Sequence, residues 1–232
     1  MPDIPPKKLA MVAALEREVR PLIRHWQVTD REHDGGRFRF FETKDVVVVC
    51  GGIGAAAARR AGEAVLALFC PETVISVGFA GALESSLKVG DVLRPRKVIN
   101  AADGSSVLRS DGNGVLVSFG SVASPEQKQN LGKSFGAQAV DMEAASVARA
   151  AEARRVDFLA VKVISDEVGF EFPSTERFID VSGRFSELRF AVFAILRPWL
   201  WFRVIQLARN STVASHALCT YLREFSVQQG RA

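Results

Sequence analysis

The sequence predicts an α/β protein, a three-layer sandwich with a central mixed, largely parallel sheet and an additional helical segment at the C-terminus. Short apolar runs of strand length alternate with helical patterns along most of the chain, which is typical of a sheet covered by helices on both faces. Several of these runs are apolar without interruption, as strands buried on both faces are. The length of 232 residues suits one core. We therefore expect a single domain over residues 1–232, in which residues 184–228 form a helical C-terminal extension.

The elements follow from the spacing of apolar residues and from the turn residues between them. The predicted strands cover residues 9–15, 38–41, 46–50, 73–77, 89–98, 115–118, 138–141 and 158–164. The predicted helices cover residues 16–26, the alanine-rich stretch from residue 55 to residue 69, and residues 124–135, 143–154 and 186–225. Ser124 is expected to cap its helix, with Pro125 at the first helical position. Residues 101–114 read as a polar loop without a chemical role.

Composition and charge exclude several classes of protein. The chain is 48% hydrophobic and 24% charged, which is ordinary for a globular protein. The net charge of +4 comes from scattered basic residues, so we expect no nucleic-acid surface. Cys50, Cys70 and Cys219 lie far apart in no paired spacing, so we expect neither a disulfide framework nor a metal site, and a cytoplasmic location. Residues 1–8 lack an apolar signal core, and we expect no secretion signal.

Glu18 is the first candidate functional residue. The predicted helix 16–26 follows the first strand directly, so Glu18 lies in its first turn, at the sheet edge where ligands collect in α/β proteins. A plain alternative is a solvated acid that the helix dipole favours.

A glycine-rich turn follows the strand at residues 46–50. Residues 52–57 read Gly-Ile-Gly-Ala-Ala-Ala and fit the G-x-G-x-x-A form of a dinucleotide fingerprint, which supports a nicotinamide-dependent oxidoreductase as a rival function. That motif also needs an acid at the end of the next strand to bind ribose hydroxyls. The strand at residues 73–77 is instead followed by residues 78–81, Gly-Phe-Ala-Gly. These glycines allow close backbone approach to a ligand, or form a simple turn.

Two acidic segments at later strand ends suggest a small-molecule site. Glu143 can accept two hydrogen bonds from a vicinal diol, as in a ribose, and Met142 can pack against the sugar. Asp166, expected to stay protonated in apolar surroundings at the end of a buried strand, can give a proton to a leaving purine nitrogen, and Ser165 can orient it. Asp141 reads as a strand-end residue outside the chemistry.

Glu18 completes a mechanism with Asp166. An ionised Glu18 can deprotonate a water on the opposite face of the sugar, and one acid plus one base suits displacement at an anomeric carbon. The alternative for Glu143 and Asp166 is helix capping and hydrogen bonding within loops.

The C-terminal stretch at residues 186–225 interleaves aromatic residues with arginines. No apolar run approaches the ~20 residues that a membrane-spanning helix needs. The pattern suits either a helix at the membrane interface or a helical hairpin packed on the sheet or in a dimer contact. The inner face of the membrane is thus an alternative location to the free cytoplasm.

Five motifs in order resemble one family. They are residues 13–19 (AALEREV), 52–54 (GIG), 77–81 (VGFAG), 140–144 (VDMEA) and 164–166 (ISD). Their order and spacing over residues 8–170 resemble the purine nucleoside phosphorylase and methylthioadenosine/S-adenosylhomocysteine nucleosidase superfamily. The resemblance implies the nucleoside phosphorylase-like sandwich, an enzyme that needs no cofactor, and a homo-oligomer, which we expect to be a homodimer.

The resemblance also implies roles for individual residues. Glu18 corresponds to the water-activating acid and Asp166 to the acid that protonates the purine. The residues implied to bind substrate are Phe79, Ala80, Gly81, Val122, Met142, Glu143 and Ser165. Two of them depart from the family: Phe79 stands where a small hydroxyl residue is usual, and Val122 lies near the position of an aromatic that stacks on the base. Phosphorolytic members bind phosphate with an arginine and a serine or threonine, and the matching positions here are Ser76 and Phe79, which favours water as the nucleophile.

Residues 185–218 resemble the tail of the hopanoid-associated phosphorylase-like proteins, through segments 196–198 and 207–211. Those proteins are assigned to removing adenine from adenosylhopane. We therefore expect a purine nucleosidase that releases adenine from a 5′-substituted adenine nucleoside, with adenosylhopane, methylthioadenosine and S-adenosylhomocysteine as candidate substrates. Phosphorolysis and a catalytically idle nucleoside-binding or membrane-peripheral module are the alternatives.

Overall fold

The described part of the chain folds around one sheet of eleven strands. The structure is a computed structural model and describes residues 7–171, 178, 180, 183, 186 and 201–229. The strands are β1 (Leu9–Ala13), β2 (Gln27–His33), β3 (Gly36–Glu42), β4 (Val46–Cys50), β5 (Thr73–Ala82), β6 (Val92–Leu93), β7 (Lys97–Asn100), β8 (Ser106–Leu108), β9 (Val115–Ser118), β10 (Ala139–Asp141) and β11 (Asp157–Asp166). The helices described are α1 (Glu16–Ile23), α2 (Ala55–Phe69), α3 (Pro125–Phe135), α4 (Ala144–Ala153) and α5 (Trp201–Gln229).

The sheet is mixed and its centre is parallel. The strand order is β2-β3-β4-β1-β5-β10-β9-β7-β8, with β11 beside β5 and β6 beside β11. Strands β4, β1, β5 and β11 run parallel to their neighbours in this group, and so do β10, β9 and β7. The antiparallel pairs include the hairpins at the two ends of the sheet and the β10–β5 contact.

Helices cover both faces of the sheet, and alternate residues of the central strands pack into two separate hydrophobic cores. In β1, Ala10 and Val12 pack with α2 and α4, while Leu9 and Met11 pack with α1 and α5. Such alternation follows from the period of two in a strand. The predicted three-layer sandwich with a mixed, largely parallel sheet and a C-terminal helix is confirmed.

Helix α3 begins as predicted. Ser124 is the N-cap, and its hydroxyl accepts the main-chain N–H of Gln127 at 3.2 Å, while the Gln127 side chain accepts the N–H of Ser124 at 2.8 Å. Pro125 occupies the first helical position. This reciprocal cap satisfies two donors that would otherwise lack partners at the helix start.

Several predicted boundaries are wrong. Strand β5 continues through Gly78 and Gly81 to Ala82, because β11 pairs with it along this length, so these glycines do not form a turn. The predicted strand at residues 89–98 is two short strands, β6 and β7, and β8 lies inside the predicted loop at residues 101–114. The polar strand β2, which pairs with β3 at the sheet edge, was not predicted.

The C-terminal helix packs on α1 and β11. Ala214, Leu218, Leu222 and Phe225 are buried in the core on that face. Of the predicted extension, residues 187–200 lie outside the described residues, and so does the motif at residues 196–198. Among the helices that the structure describes, none is long and apolar enough to cross a membrane.

Candidate active site

One cavity of about 180 Å³ lies where β1, β5, β10 and β11 end. Each of these strands delivers side chains to it from its last residues or from the segment that follows. The cavity brings together all of the predicted site residues: Glu18, Phe79, Ala80, Gly81, Val122, Met142, Glu143, Ser165 and Asp166. The parallel strands β1, β5 and β11 meet here at their carboxyl ends, as parallel strands do, and β10 reaches the same place although it is antiparallel to β5.

Glu18 lies in the first turn of α1 and is buried. Its Oε2 accepts the main-chain N–H of Leu15 at 3.4 Å. Burial and, secondarily, the nearby Glu143 carboxylate raise the pKa of Glu18 to about 7. Ser215 of α5 donates to the main-chain oxygens of Arg17 and Glu18 at 3.0 Å, so the C-terminal helix holds this turn in place.

Gly78 makes room for Glu18. A Cβ at residue 78 would lie 2.8 Å from Oε2 of Glu18, and the φ of +143° is one that other residues rarely adopt. Gly78, which was predicted at a strand end, lies inside β5, and the absence of a Cβ there lets the Glu18 carboxylate approach the strand.

Glu143 precedes α4, and the glycine-rich turn binds it. Its Oε1 accepts the main-chain N–H of Gly54 at 2.9 Å, and its Oε2 accepts that of Met142 at 3.3 Å. Burial raises the pKa of Glu143, and the Lys162 ammonium opposes this. Because the Gly54 N–H points to Glu143, the dinucleotide hypothesis loses the donor that it requires for a pyrophosphate.

Asp141 lies beside the site, and its place outside the chemistry stays a prediction. The residue is among those that line the cavity, and its fully buried carboxylate forms an ion pair with Lys162 of β11 at 2.9 Å. It also accepts the Ser118 hydroxyl at 2.5 Å and the Ala144 N–H at 2.8 Å. The side chain of Asp141 thus binds the first N–H of α4, while the side chain of Glu143, the N-cap residue, makes no capping hydrogen bond.

The centre of the site holds more negative than positive charge. Glu18, Asp141 and Glu143 all interact with the single ammonium of Lys162. Burial lowers the pKa of Lys162, but Asp141 and Glu143 outweigh it and raise the pKa above the ordinary value. Burial and the neighbouring carboxylates therefore raise the pKa of Glu18 to about 7 and also raise the pKa of Glu143.

Asp166 lies at the end of β11 with a cation beside it. Lys128 of α3 forms a buried ion pair with Oδ2 of Asp166, and Ser165 donates its hydroxyl to Oδ1 at 2.8 Å. The expectation of apolar surroundings for Asp166 is therefore wrong, because a lysine reaches it from another element. Lys128 also donates to the main-chain oxygen of Glu167 at 2.7 Å.

Gly81 lies against this pair, which gives a stability prediction. A Cβ at residue 81 would lie 2.8 Å from Oδ2 of Asp166 and 3.1 Å from Cε of Lys128. Gly81→Ala is expected to lower the free energy of unfolding by about 1–3 kcal/mol through overpacking. Urea denaturation measures this, with Gly120→Ala as control, since a Cβ at Gly120 meets nothing within 4 Å. Equal stability of the two variants would show that the pair is not packed as described.

Several apolar side chains also line the cavity. Phe79, Val122 and Met142 are half-buried, and Leu207 of α5 joins them. The cavity adjoins a groove of about 720 Å³ between α1 and α5, with which it shares Arg17, Leu207 and Ser211. The cavity and the groove therefore adjoin each other beside the C-terminal helix.

Sequence reasoning missed Lys162, Lys128 and the role of Gly54. A usable signal existed for Lys162, because it interrupts the apolar run of β11 and a lysine buried there needs a carboxylate partner. Lys128 lies in a polar helical segment where nothing distinguishes it from exposed lysines. Within the described residues, no group of three or more histidine, cysteine or acidic side chains is arranged to hold a metal ion.

Known proteins resemble this chain along most of its length. The sequence model of the phosphorylase superfamily matches residues 8–119 and 114–196. The 5′-methylthioadenosine/S-adenosylhomocysteine nucleosidase of Marinomonas sp. (strain MWYL1) is 28% identical over 222 residues, covering 78% of this chain and 95% of the relative. The nucleosidase of the same name from Bacillus licheniformis is 26% identical over 218 residues, covering 77% of this chain and 94% of the relative.

Solved structures share the fold. The 5′-methylthioadenosine/S-adenosyl homocysteine nucleosidase of Helicobacter pylori, in complex with a substituted pyrrolidin-3-ol, superposes with a TM-score of 0.71 at 18% identity, over 96% of this chain and 98% of that chain. Futalosine hydrolase of Helicobacter pylori strain 26695 superposes with a TM-score of 0.66 at 20% identity, over 94% of this chain and 98% of that chain.

Proposed function

Because the chain belongs to the phosphorylase superfamily, we propose that it cleaves the N-glycosidic bond of a 5′-substituted adenine nucleoside and releases adenine. The observation that carries this proposal is the placing of Glu18, Glu143 and Asp166 around one cavity. The nucleosidases among its relatives, of which the alignment covers nine tenths or more, support the same reaction.

The two outer carboxylates contact β5 at different positions. Glu18 lies against Gly78, and Asp166 lies against Gly81, three residues further along the strand. Carboxylates separated by several ångströms suit an acid on the leaving group and a base on an attacking water, across an oxocarbenium-like sugar. Glu143, whose oxygens each accept only one main-chain N–H, retains lone pairs for the ribose hydroxyls.

Water is the proposed nucleophile. Glu18 has a pKa of about 7, so a large share of it is ionised at neutral pH and can take a proton from water. Ser76 and Phe79 stand at the positions that match the phosphate-binding residues. Phe79 has no hydroxyl, and Ser76 is fully buried, finds no hydrogen-bond partner for its Oγ among the described residues, and is not among the residues lining the cavity. A phosphate in the cavity would therefore lack both groups, which supports hydrolysis over phosphorolysis.

The groove between α1 and α5 is the proposed place for the 5′ substituent. Four apolar residues, Pro21, Val204, Leu207 and Ala208, line it beside seven polar or charged residues: Arg17, Arg20, Arg24, Ser211, Thr212, Ser215 and His216. An apolar group on the 5′ carbon could bury the four apolar side chains, which keeps adenosylhopane as the proposed substrate, with methylthioadenosine and S-adenosylhomocysteine as the smaller alternatives.

We propose that the start of α5 makes peripheral contact with the membrane. Trp201, Phe202 and Ile205 are 50%, 77% and 54% exposed, next to Arg203. Aromatic rings beside arginines suit the lipid headgroup region. The homodimer stays a prediction on the family resemblance.

An adenine-release assay tests the proposed function. Each of the three nucleosides is incubated with the protein, with and without phosphate, and the products are separated by chromatography. We expect free adenine without phosphate and no sugar phosphate when phosphate is present. Strict dependence on phosphate would establish phosphorolysis instead. Calorimetric binding of adenosine without any release would favour the idle nucleoside-binding module.

A further inference from the structure

Lys128 is a buried lysine that no part of the proposed mechanism uses. Its side chain is 1% exposed, and that of its partner Asp166 is 4% exposed. It also lines the cavity. A buried ammonium is costly to keep, and the ion pair lies at the position where the proposed leaving group would receive its proton.

Both carboxylate oxygens of Asp166 accept hydrogen bonds. Oδ2 accepts from the Lys128 ammonium and Oδ1 accepts from the Ser165 hydroxyl. An ammonium can only donate hydrogen bonds, so Lys128 presents a proton directly to Oδ2. The Lys128 ammonium is therefore a proton source in direct contact with Asp166.

Resting on the proposed function, we propose that Lys128 is the source of the proton that Asp166 passes to the departing adenine. As the C1′–N9 bond breaks, its electron pair moves into the purine, and a ring nitrogen takes a proton from Asp166. Asp166 takes that proton from Nζ of Lys128, which becomes a neutral amine. Glu18 takes a proton from the attacking water. Solvent then accepts the proton of Glu18 and returns one to Lys128, so no net proton is consumed.

Lys128 is a positioning residue in this scheme, because it acts through Asp166. Gly81 allows the two side chains to meet, since any Cβ there would overlap both. The Ser124 cap fixes the first turn of α3, from which Lys128 extends. The main-chain oxygen of Glu167 binds the same ammonium and aligns it.

Two substitutions distinguish a role of Lys128 as proton source from a role as a mere positive charge beside Asp166. Lys128→Met removes both the charge and the proton, and kcat for adenine release is expected to fall by about 10²-fold with little change in KM. Lys128→Arg keeps a cation beside Asp166, but a guanidinium does not release its proton in proteins. We therefore expect Lys128→Arg to recover thermal stability and to leave kcat low. Lys133→Met, an exposed lysine on the same helix, is the control and should match the wild type.

A double-mutant cycle keeps the proposal testable if the arginine does not fit. Asp166→Asn removes the relay, so Lys128→Met should cause no further loss of kcat in that background. Three results would each overturn the proposal and leave the proposed function standing. They are a kcat restored by Lys128→Arg, losses of kcat that multiply in the double mutant, and an unchanged kcat in Lys128→Met. A wild-type chain that releases no adenine refutes the proposed function, and this inference with it.

Discussion

Replacing Glu18 by Gln is expected to lower kcat for adenine release by about 10²–10⁴-fold, the usual contribution of a general base. The amide keeps the shape of the side chain and can still accept the Leu15 N–H, but it cannot take a proton from water. The wild-type rate should rise with pH through about 7, where Glu18 ionises, and reach a plateau above it. The residual rate of the variant should lack this rise.

The same substitution is expected to stabilise the fold at alkaline pH. The folded-state pKa of Glu18 is about 7, above the ordinary 4.5, so the folded chain binds the proton more tightly than the unfolded chain does. The free energy of unfolding of the wild type therefore falls as pH rises from 4.5 to about 7. The loss is on the order of 3 kcal/mol once Glu18 is ionised in both states.

Urea denaturation across this pH range measures the effect. Glu18→Gln should gain stability over the wild type above about pH 7 and lose that advantage near pH 4.5. Glu16→Gln, at an exposed position in the same turn, serves as control and should change neither rate nor pH dependence. A parallel pH dependence of stability in the wild type and in Glu18→Gln would show that Glu18 is not the buried acid of this site.

Replacing Lys162 by Met is expected to have the second large effect. It leaves Asp141 charged and buried without its ion-pair partner, which typically costs about 3–5 kcal/mol. It also removes the cation that opposes the raised pKa values of Glu18 and Glu143. Both values should rise further, so the pH at which the rate reaches half of its plateau should move upward.

The measurement is a pH–rate profile with thermal unfolding of the same samples. Lys44→Met, at an exposed position before β4, is the matched control. Adding Asp141→Asn to Lys162→Met should recover part of the lost stability, because the uncompensated charge is then removed. If the profile of Lys162→Met keeps the wild-type midpoint, the lysine does not act on Glu18.

Local patterns in the sequence predicted the main elements of the site. Glu18 and Asp166 follow or end strongly apolar runs, and the carboxyl ends of the parallel strands β1, β5 and β11 meet at one sheet edge. Glu143 lies between a short strand and a helix, and its strand β10 is antiparallel to β5. The same logic predicted the layers of the fold, because uninterrupted apolar strands alternating with helices leave few other arrangements. Ser124 and Pro125 marked a helix start because capping is a local interaction.

Features that depend on residues distant in the sequence could not be predicted from local patterns. Gly78 and Gly81 resemble turn residues, but their pairing with β11 keeps them in a strand, and their lack of Cβ serves Glu18 and Asp166. Strand β2 is polar and lies at the edge of the sheet, so it has no apolar alternation to reveal it. Lys128 and Asp166 are 38 residues apart in the sequence, and only the fold brings their side chains into an ion pair.

Hydrolysis assisted by Glu18 is tested most directly by a single-turnover measurement of adenine release from methylthioadenosine in phosphate-free buffer, with the wild type beside Glu18→Gln. We expect the wild type to release one adenine per active site without phosphate, and the variant to release it about 10²-fold more slowly or slower still. Calorimetry should show that both proteins bind the nucleoside. No adenine from the wild type, or equal rates in the two proteins, would contradict hydrolysis assisted by Glu18.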